Sequence, residues 1–295
     1  MPAAAGLEYL GAMARAPLAA LAALLAAACG GGSGGGGAGV RSPSSARPIG
    51  LHWQLSGDFD PAKDIPLLAH RTVFDLDGEL TPGSTVDALH ALGPEVRVVC
   101  YFDAGVYESY RSDASLFPAR IIGDPDEGWP DSYWLDIRQR DVILPILRHR
   151  MTDWCLAKGF DAIEPDETEV YGNASGFPIT QADNDAFNQA VAAQAHQLGL
   201  SVGLKGNNAR AAYLAADFDW ALSEQCWEYE ECDGLKAGFA DRGKAVFTVD
   251  YNVDPDCATA DSWHLNSMRR DLDLVGPRDP GYLYQPCLAD TAADW

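Results

Sequence analysis

Short apolar strands alternate with helical segments along residues 48–295, and this alternation constrains the fold more than any other feature of the chain. Strands that are separated by helices run in the same direction, so the pattern favours a parallel sheet. The predicted strands are residues 48–54, 72–75, 96–102, 160–164, 200–205, 220–224, 245–251 and 281–284. Eight strands in roughly 250 residues predict an α/β fold, a single-domain (β/α)8 TIM barrel.

Helices are predicted between several of these strands. Residues 85–92 and 141–158 are each followed by glycine, the usual residue just past a helix end. Thr180 is the predicted N-cap of a further helix, which ends at Gly199. No Gly-x-Gly-x-x-Gly motif follows the first strand and no phosphate loop is present, so a nucleotide-binding sheet and a cofactor are not expected.

Polar residues stand at the carboxyl end of most predicted strands. They are Gln54, Asp75, Asp103, Asp166, Lys205 with Asn207, Glu224, and Asp250 with Tyr251. In a (β/α)8 barrel these ends meet at one mouth, where active sites form. The mouth is therefore predicted to be acidic with one lysine, which suits a sugar that carries hydroxyls or amines. A metal is not expected, because no Asp-x-Asp-x-Asp-Gly loop or histidine pair is present.

Two of these ends carry the acids on which the functional prediction rests. The stretches Gly159 to Asp166 and Phe218 to Cys226 each read as an apolar strand that stops at a carboxylate. Cleavage of a glycosidic bond needs two carboxyl groups, one as acid and one as nucleophile or base. Glu224 follows an apolar strand and is predicted to be the general acid/base. Asp166 is predicted to be the nucleophile, or the group that stabilises an oxocarbenium ion.

The remaining site residues are predicted to bind substrate. Glu164 is the nearest competitor of Asp166, and Pro165 is expected to end the strand between them. Trp53, Tyr101, Trp129 and Tyr251 are candidate platforms for sugar stacking. The predicted substrate-binding set is Trp53, Asp75, Tyr101, Asp103, Glu164, Lys205, Asn207, Asp250 and Tyr251.

The formal net charge is −22. A surface this acidic repels nucleic acid and anionic lipid and attracts cationic partners. The charge alone identifies no substrate, because acidic surfaces also serve solubility. The expected partner is a cationic or amino-sugar polysaccharide, and the chain is expected to act as a monomer.

Residues 1–29 are predicted to be a signal peptide. An Ala/Leu-rich core from Ala16 to Ala28 is too short to span a bilayer and ends at Cys29. The segment resembles a bacterial lipoprotein signal, with residues 30–47 as a flexible tether behind an acylated Cys29. An ordinary secretion signal is the alternative, and Met13 is an alternative start. A lipoprotein signal and an ordinary secretion signal would each place the domain of residues 48–295 outside the cytoplasm.

Six further cysteines are present: Cys100, Cys155, Cys226, Cys232, Cys257 and Cys287. An even number in an exported chain indicates disulfides, and the short spacing makes Cys226–Cys232 the first pair expected. The other pairings stay open. Zinc is the rival interpretation, but no Cys-x-x-Cys pair supports it.

Several motifs resemble glycoside hydrolase family 114. They are Cys100 to Gly105 with Glu108, Arg111 and Asp113; Gly128-Trp129-Pro130; Trp134 to Arg138; Gly159 to Asp166; Ala195 to Lys205; Glu224-Gln225-Cys226; and Gly243 to Phe247. The similarity covers roughly residues 51–251, with the motifs in the same order. The resemblance implies a TIM-barrel enzyme similar to endo-α-1,4-polygalactosaminidases, which cut galactosamine-containing polysaccharide, with catalytic acids at Asp166 and Glu224.

The sequence departs from the family pattern near the predicted site. Glu167, Thr168 and Glu169 follow Asp166 where Asn and a further Asp are usual, Gly206 precedes Asn207, and Asp250 stands where Glu is common. These changes bear on substrate contacts. Two alternatives therefore stay open at this point: a surface lipoprotein that binds polysaccharide without cutting it, and a barrel hydrolase that acts on a different glycan.

Overall fold

The computed structural model describes residues 40–43, 49–68 and 70–288. The predicted signal peptide, Cys29 and most of the tether lie outside these residues. Within the described part of the chain, no helix is long and apolar enough to cross a membrane.

Eight parallel strands follow one another around the sheet in the order of the sequence. They are β1 (Leu51–Gln54), β2 (Val73–Asp77), β3 (Arg97–Asp103), β7 (Ala162–Asp166), β8 (Ser201–Lys205), β9 (Trp220–Glu224), β10 (Val246–Asp250) and β11 (Asn266–Arg270). The intervening β4 (Val106–Glu108), β5 (Ile122–Pro125) and β6 (Ser132–Leu135) form a separate antiparallel sheet, in the order β4-β6-β5. β12 (Tyr284–Pro286) pairs antiparallel with β11.

Side chains join the first and eighth parallel strands. Arg270 Nη1 donates to the Trp53 carbonyl at 2.7 Å, and Ile49 N–H donates to Asn266 Oδ1 at 3.2 Å. The predicted (β/α)8 fold class is therefore confirmed. One strand assignment was wrong: residues 266–270 are the eighth parallel strand, and the predicted segment 281–284 precedes the antiparallel β12.

Helices cover the outside of this sheet. They are α1 (Pro61–Asp64), α2 (Gly83–His90), α3 (Arg140–His149), α4 (Gln181–Gln197), α5 (Ala211–Leu214), α6 (Cys232–Gly238) and α7 (Cys257–Ser262). A π-helical turn, Arg150–Cys155, continues α3, so the predicted helix over 141–158 is confirmed. Thr180 caps α4 through a reciprocal pair of hydrogen bonds with Asp183, as its sequence predicted.

Strand alternation divides the core into two layers. Side chains that point into the barrel include Val73, Val99, Ala162, Leu222 and Val249, while their neighbours along each strand pack beneath the helices. Trp220 fills the barrel across from Gly203, where a Cβ would lie 2.6 Å from the indole ring. The inward side of each strand therefore determines which polar residues meet at the mouth.

Three disulfides tie elements of the domain together. Cys226–Cys232 closes the loop after β9, and the expected pairing is confirmed. Cys100–Cys155 joins β3 to the π-helical turn, and Cys257–Cys287 joins α7 to the end of β12.

Candidate active site

The inward side chains of the strands stack in layers toward the mouth. In such barrels each layer comes from alternate strands, so residues on the second, fourth and sixth strands share a layer. Asp75 and Glu164 form the lowest polar layer, Trp53, Tyr101, Lys205 and Tyr251 lie around the next level, and Asp166 and Glu224 stand at the mouth. Glu164 thus approaches Lys205 from below, while Asp166 and Glu224 approach it from above.

The ammonium group of Lys205 is the centre of the site. Its Nζ lies 2.7 Å from Asp166 Oδ2, 3.2 Å from Glu224 Oε2 and 3.0 Å from Glu164 Oε1. The side chain is only 4% exposed. Burial alone would lower the pKa of Lys205, but the Asp166, Glu164 and Glu224 carboxylates together raise it well above its ordinary value. Lys205 is therefore a permanent cation that holds these carboxylates together.

The two carboxylates at the mouth differ in their surroundings. Asp166 is 16% exposed, and its Oδ1 accepts a hydrogen bond from the Glu167 backbone N–H at 2.7 Å. With Lys205 on Oδ2, each oxygen of Asp166 has a donor. Glu224 is 35% exposed, and its Oε1 accepts a hydrogen bond from the Tyr251 hydroxyl. Asp166 is thus the more restrained group and Glu224 the more open one.

Glu164 and Asp166 both point into the barrel because β7 continues through Pro165. The expectation that Pro165 ends the strand was wrong. Proline lacks the N–H that a sheet ladder needs. The ladder between β7 and β8 ends at Ile163, before the proline, so no pairing with β8 is lost there.

Aromatic rings surround the Lys205 ammonium. Its Nζ lies 4.8 Å from the ring centroid of Trp53 and 5.9 Å from that of Tyr101, within reach of cation–π attraction. Trp53 is fully buried, so it supports Lys205 and has no surface for a sugar. Trp129, on the turn between β5 and β6, is 61% exposed.

Comparison with known proteins connects this geometry to a family. The model described as glycoside-hydrolase family GH114 matches residues 38–291. The chain belongs to family GH114. It is accordingly a glycoside hydrolase, and the resemblance drawn from its sequence motifs is confirmed.

Two solved structures resemble this GH114 member. The crystal structure of Aspergillus fumigatus Ega3 in complex with galactosamine has 27% sequence identity and a TM-score of 0.69, covering 83% of this chain and 100% of that chain. The glycoside hydrolase domain of PelA from Pseudomonas aeruginosa has 14% identity and a TM-score of 0.56, covering 76% and 95%. The PelA likeness shows the fold alone. No curated protein matches the chain.

Two residues of the predicted binding set, Asp250 and Asn207, lie apart from the mouth of this GH114 barrel. Asp250 points outward, and its Oδ1 accepts from the Glu228 backbone N–H at 3.1 Å, which fixes the loop after β9. Asn207 is 1% exposed and donates to Thr168 Oγ1 at 3.2 Å, which ties the loops after β7 and β8 together. Asp103, in contrast, is buried beside Asp166, its register partner on β7, and its Oδ1 accepts from the Tyr101 hydroxyl at 3.1 Å.

Two acids near the mouth were not among the predicted site residues. Burial, reinforced by Asp166 and Asp126, raises the pKa of Glu167 to about 8. Burial and the Asp166 charge raise the pKa of Asp126, at the turn between β5 and β6, to about 6. Glu167 directly follows the end of β7 in a left-handed conformation, with φ +53°. Its position directly after Asp166 could have identified it, whereas Asp126 is placed by the small antiparallel sheet, whose strands were not predicted.

Among residues 40–43, 49–68 and 70–288, no three His, Cys, Asp or Glu side chains are arranged to hold a metal ion. Lys205 lies where a cation would otherwise balance the central carboxylates.

Proposed function

We propose that this protein is an extracellular endo-acting hydrolase that cleaves α-1,4-linked galactosamine-containing polysaccharide through a two-carboxylate mechanism. Asp166 acts as nucleophile and Glu224 as general acid/base. The proposal is supported by the GH114 membership and by the likeness to Ega3, whose structure contains galactosamine. The observation that carries the mechanism is the shared contact of Asp166 and Glu224 with Lys205.

This contact limits the distance between the two carboxylates. Asp166 Oδ2 and Glu224 Oε2 can be no farther apart than 5.9 Å, the 2.7 Å and 3.2 Å contacts to Nζ laid end to end. Retaining glycosidases place their carboxyl groups about 5–5.5 Å apart, whereas inverting enzymes need about 6.5–9.5 Å to admit a water. The spacing therefore supports retention of anomeric configuration.

The first step follows from the surroundings of the two acids. Glu224, the more exposed group, gives its proton to the glycosidic oxygen as the bond from this oxygen to C1 breaks. Asp166 attacks C1 from the opposite face and forms a glycosyl ester. Its position is fixed beforehand by Lys205 and the Glu167 N–H. The Lys205 charge also stabilises Asp166 when the carboxylate is released.

The second step regenerates the enzyme. The Glu224 carboxylate takes a proton from a water molecule, whose oxygen attacks C1 and breaks the ester to Asp166. The Tyr251 hydroxyl, hydrogen-bonded to Glu224 Oε1, keeps this carboxylate directed toward the mouth through both steps. Tyr251 is therefore proposed to be a positioning residue.

The location of the enzyme is part of the proposal. Cys29 and the glycine-rich residues that follow it fit a lipid-anchored or secreted domain, and three disulfides fit an oxidising compartment. Mass analysis of the mature N-terminus checks this, since an acylated Cys29 identifies the lipoprotein form and unprocessed Met1 or Met13 contradicts export.

Asp166→Asn and Glu224→Gln test the mechanism. Each is expected to fold normally and to lower the rate of polymer cleavage by about 10²–10⁴-fold, because each removes a group that takes part in bond making or proton transfer. The measurement is release of soluble amino-sugar oligomers from purified polygalactosamine. Asp87→Asn and Glu95→Gln, which alter exposed acids, are the matched controls.

The stereochemical outcome is a separate test. NMR of the earliest products should show the α anomer if the reaction retains configuration. A β product would contradict the nucleophile role of Asp166, and wild-type rates in either site variant would remove that residue from the mechanism.

A further inference from the structure

Asp75 and Glu164 form a buried acid pair below the two carboxylates of the mouth. Both side chains are fully buried, and the two carboxyls interact directly as neighbours in the barrel. Among the described residues, no N–H or O–H group donates a hydrogen bond to any of the four carboxyl oxygens of the pair. The Lys205 ammonium, 3.0 Å from Glu164 Oε1, is the cation that faces the pair.

The charges at this point do not balance if every carboxyl is ionised. Asp75, Glu164, Asp166 and Glu224 surround the single ammonium of Lys205. Two adjacent carboxylates in a buried site repel each other and lack water to solvate them, so one of the two retains a proton. Two carboxyls can form a hydrogen bond only when such a proton lies between them.

The geometry decides which carboxyl carries the proton. Glu164 is in direct contact with the Lys205 ammonium, which favours its ionised form. Asp75 has no contact of this kind, and the neighbour with which its unpartnered oxygens interact is the Glu164 carboxyl. The proton therefore belongs on Asp75, which donates to Glu164.

We propose that Asp75 is a protonated positioning residue, whose hydroxyl holds Glu164 so that Glu164 in turn fixes Lys205 between Asp166 and Glu224. The inference rests on the proposed function, because it assigns Asp75 a part in aligning the two proposed catalytic carboxylates. Asp75 itself touches no reacting atom.

The directions in which the pKa values of Asp75 and Glu164 are shifted support this assignment. Burial, and then the charge of Glu164, raises the pKa of Asp75 well above its ordinary range. Burial raises the pKa of Glu164 only to about 7, because Lys205 opposes the effect. The other polar groups above the pair are the Tyr101 and Tyr251 hydroxyls and the carboxylates of Asp166 and Glu224.

A pair of substitutions separates the hydrogen bond from the charge. Asp75→Leu keeps the branched shape but has no donor, so Glu164 and Lys205 lose their fixed position and kcat is expected to fall by about 10²-fold. Asp75→Asn keeps an N–H donor toward Glu164 and is expected to recover at least about tenfold of that loss. Glu164→Gln removes the charge that faces Lys205 and is expected to resemble Asp75→Leu.

Infrared spectroscopy locates the proton without any reference to activity. At pH 7 the wild-type protein should show the carbonyl-stretching band of a protonated carboxylic acid that is missing from Asp75→Asn. The difference between the two spectra isolates Asp75 from other protonated acids such as Glu167. Circular dichroism of each variant establishes that it is folded.

The outcomes distinguish this inference from the proposed function. If Asp75→Asn is as inactive as Asp75→Leu, or the infrared difference lacks the acid band, Asp75 is not a protonated donor and the inference fails. If Asp166→Asn stays active, the proposed function fails, while the infrared result still reports the protonation of Asp75.

Discussion

Lys205 is the residue on which the arrangement of the site depends. It brings three carboxylates within 3.2 Å of one ammonium, although like charges this close would otherwise drive the side chains apart. The single cation does not neutralise all the acids nearby. Burial, reinforced by the charge of Asp166, raises the pKa of Glu167 to about 8 and that of Asp126 to about 6. An active site of this kind lowers the stability of the fold in return for reactivity.

The raised pKa of Glu167 predicts how stability changes with pH. An unfolded chain ionises this carboxyl near its ordinary value of 4.5, whereas the folded protein ionises it at about 8. Between these values the folded state binds more protons, so the free energy of unfolding falls as pH rises. Glu167→Gln removes this dependence and is expected to raise the melting temperature at pH 8 more than at pH 5. Glu95→Gln, at an exposed position, is the matched control. An equal shift of Glu167→Gln at both pH values would contradict the prediction.

The strand ends of β3 and β7 show how elements place the site. Gly105 follows β3, and a Cβ there would lie 1.7 Å from the Glu167 carbonyl oxygen, so only glycine fits. Beside it, the Ala104 N–H donates to the Asp166 carbonyl at 2.8 Å. These contacts bind the end of β7 to its neighbour and direct Asp166 over Lys205. A side chain at residue 105 would displace the proposed nucleophile.

Disulfides that close longer loops stabilise these elements more, although the gain grows only with the logarithm of loop length. Cys100–Cys155 spans 55 residues and joins β3 to the segment before β7, while Cys226–Cys232 spans 6 residues. On loop-closure entropy, removing the first pair with two alanines should lower the free energy of unfolding by about 4 kcal/mol and removing the second by about 2 kcal/mol. All four cysteines are buried, so the two double variants are matched controls for each other. Denaturant unfolding measures both, and equal losses would contradict the loop-length account.

Strands and helices with a local sequence pattern could be predicted, whereas those that depend on distant contacts could not. Apolar strands such as β9 and the capped helix α4 were identifiable, because their patterns are local. β11, with the sequence Asn-Ser-Met-Arg-Arg, was missed because its buried polar residues bond to the rest of the barrel, as Arg270 does to Trp53. Asp250 and Tyr251 were both assigned to the mouth, although adjacent strand residues face opposite sides. The position of Asp75 beneath Lys205 could not be predicted, because it depends on how the closed barrel stacks side chains from separate strands.

At the scale of the whole molecule, the acidic side chains differ in how far they are exposed to a polymer. The chain carries a formal net charge of −22, and Lys205 at the site is already paired with three carboxylates. Asp75, Asp103 and Asp250 are buried and offer no exposed charge to a polymer. Glu224, whose side chain is 35% exposed, is the proposed catalytic acid that is more open to an arriving chain. A polymer with free ammonium groups would therefore be drawn by the general field and then by the Glu224 carboxylate.

This field predicts that salt affects cleavage of a cationic polymer more than cleavage of a neutral one. The Debye length falls from about 8 Å at physiological ionic strength to about 3 Å at 1 M, so attraction over longer distances is screened. The value of kcat/KM for deacetylated polygalactosamine should therefore fall steeply as salt rises, while the acetylated polymer should be cut slowly with little salt response. Glu127→Gln, which removes an exposed charge on the turn between β5 and β6, should weaken the salt dependence, whereas Asp87→Asn, an exposed change on α2, should leave it unaltered. Equal rates and equal salt responses for both polymers would mean that the site reads hydroxyls alone and that the net charge serves solubility.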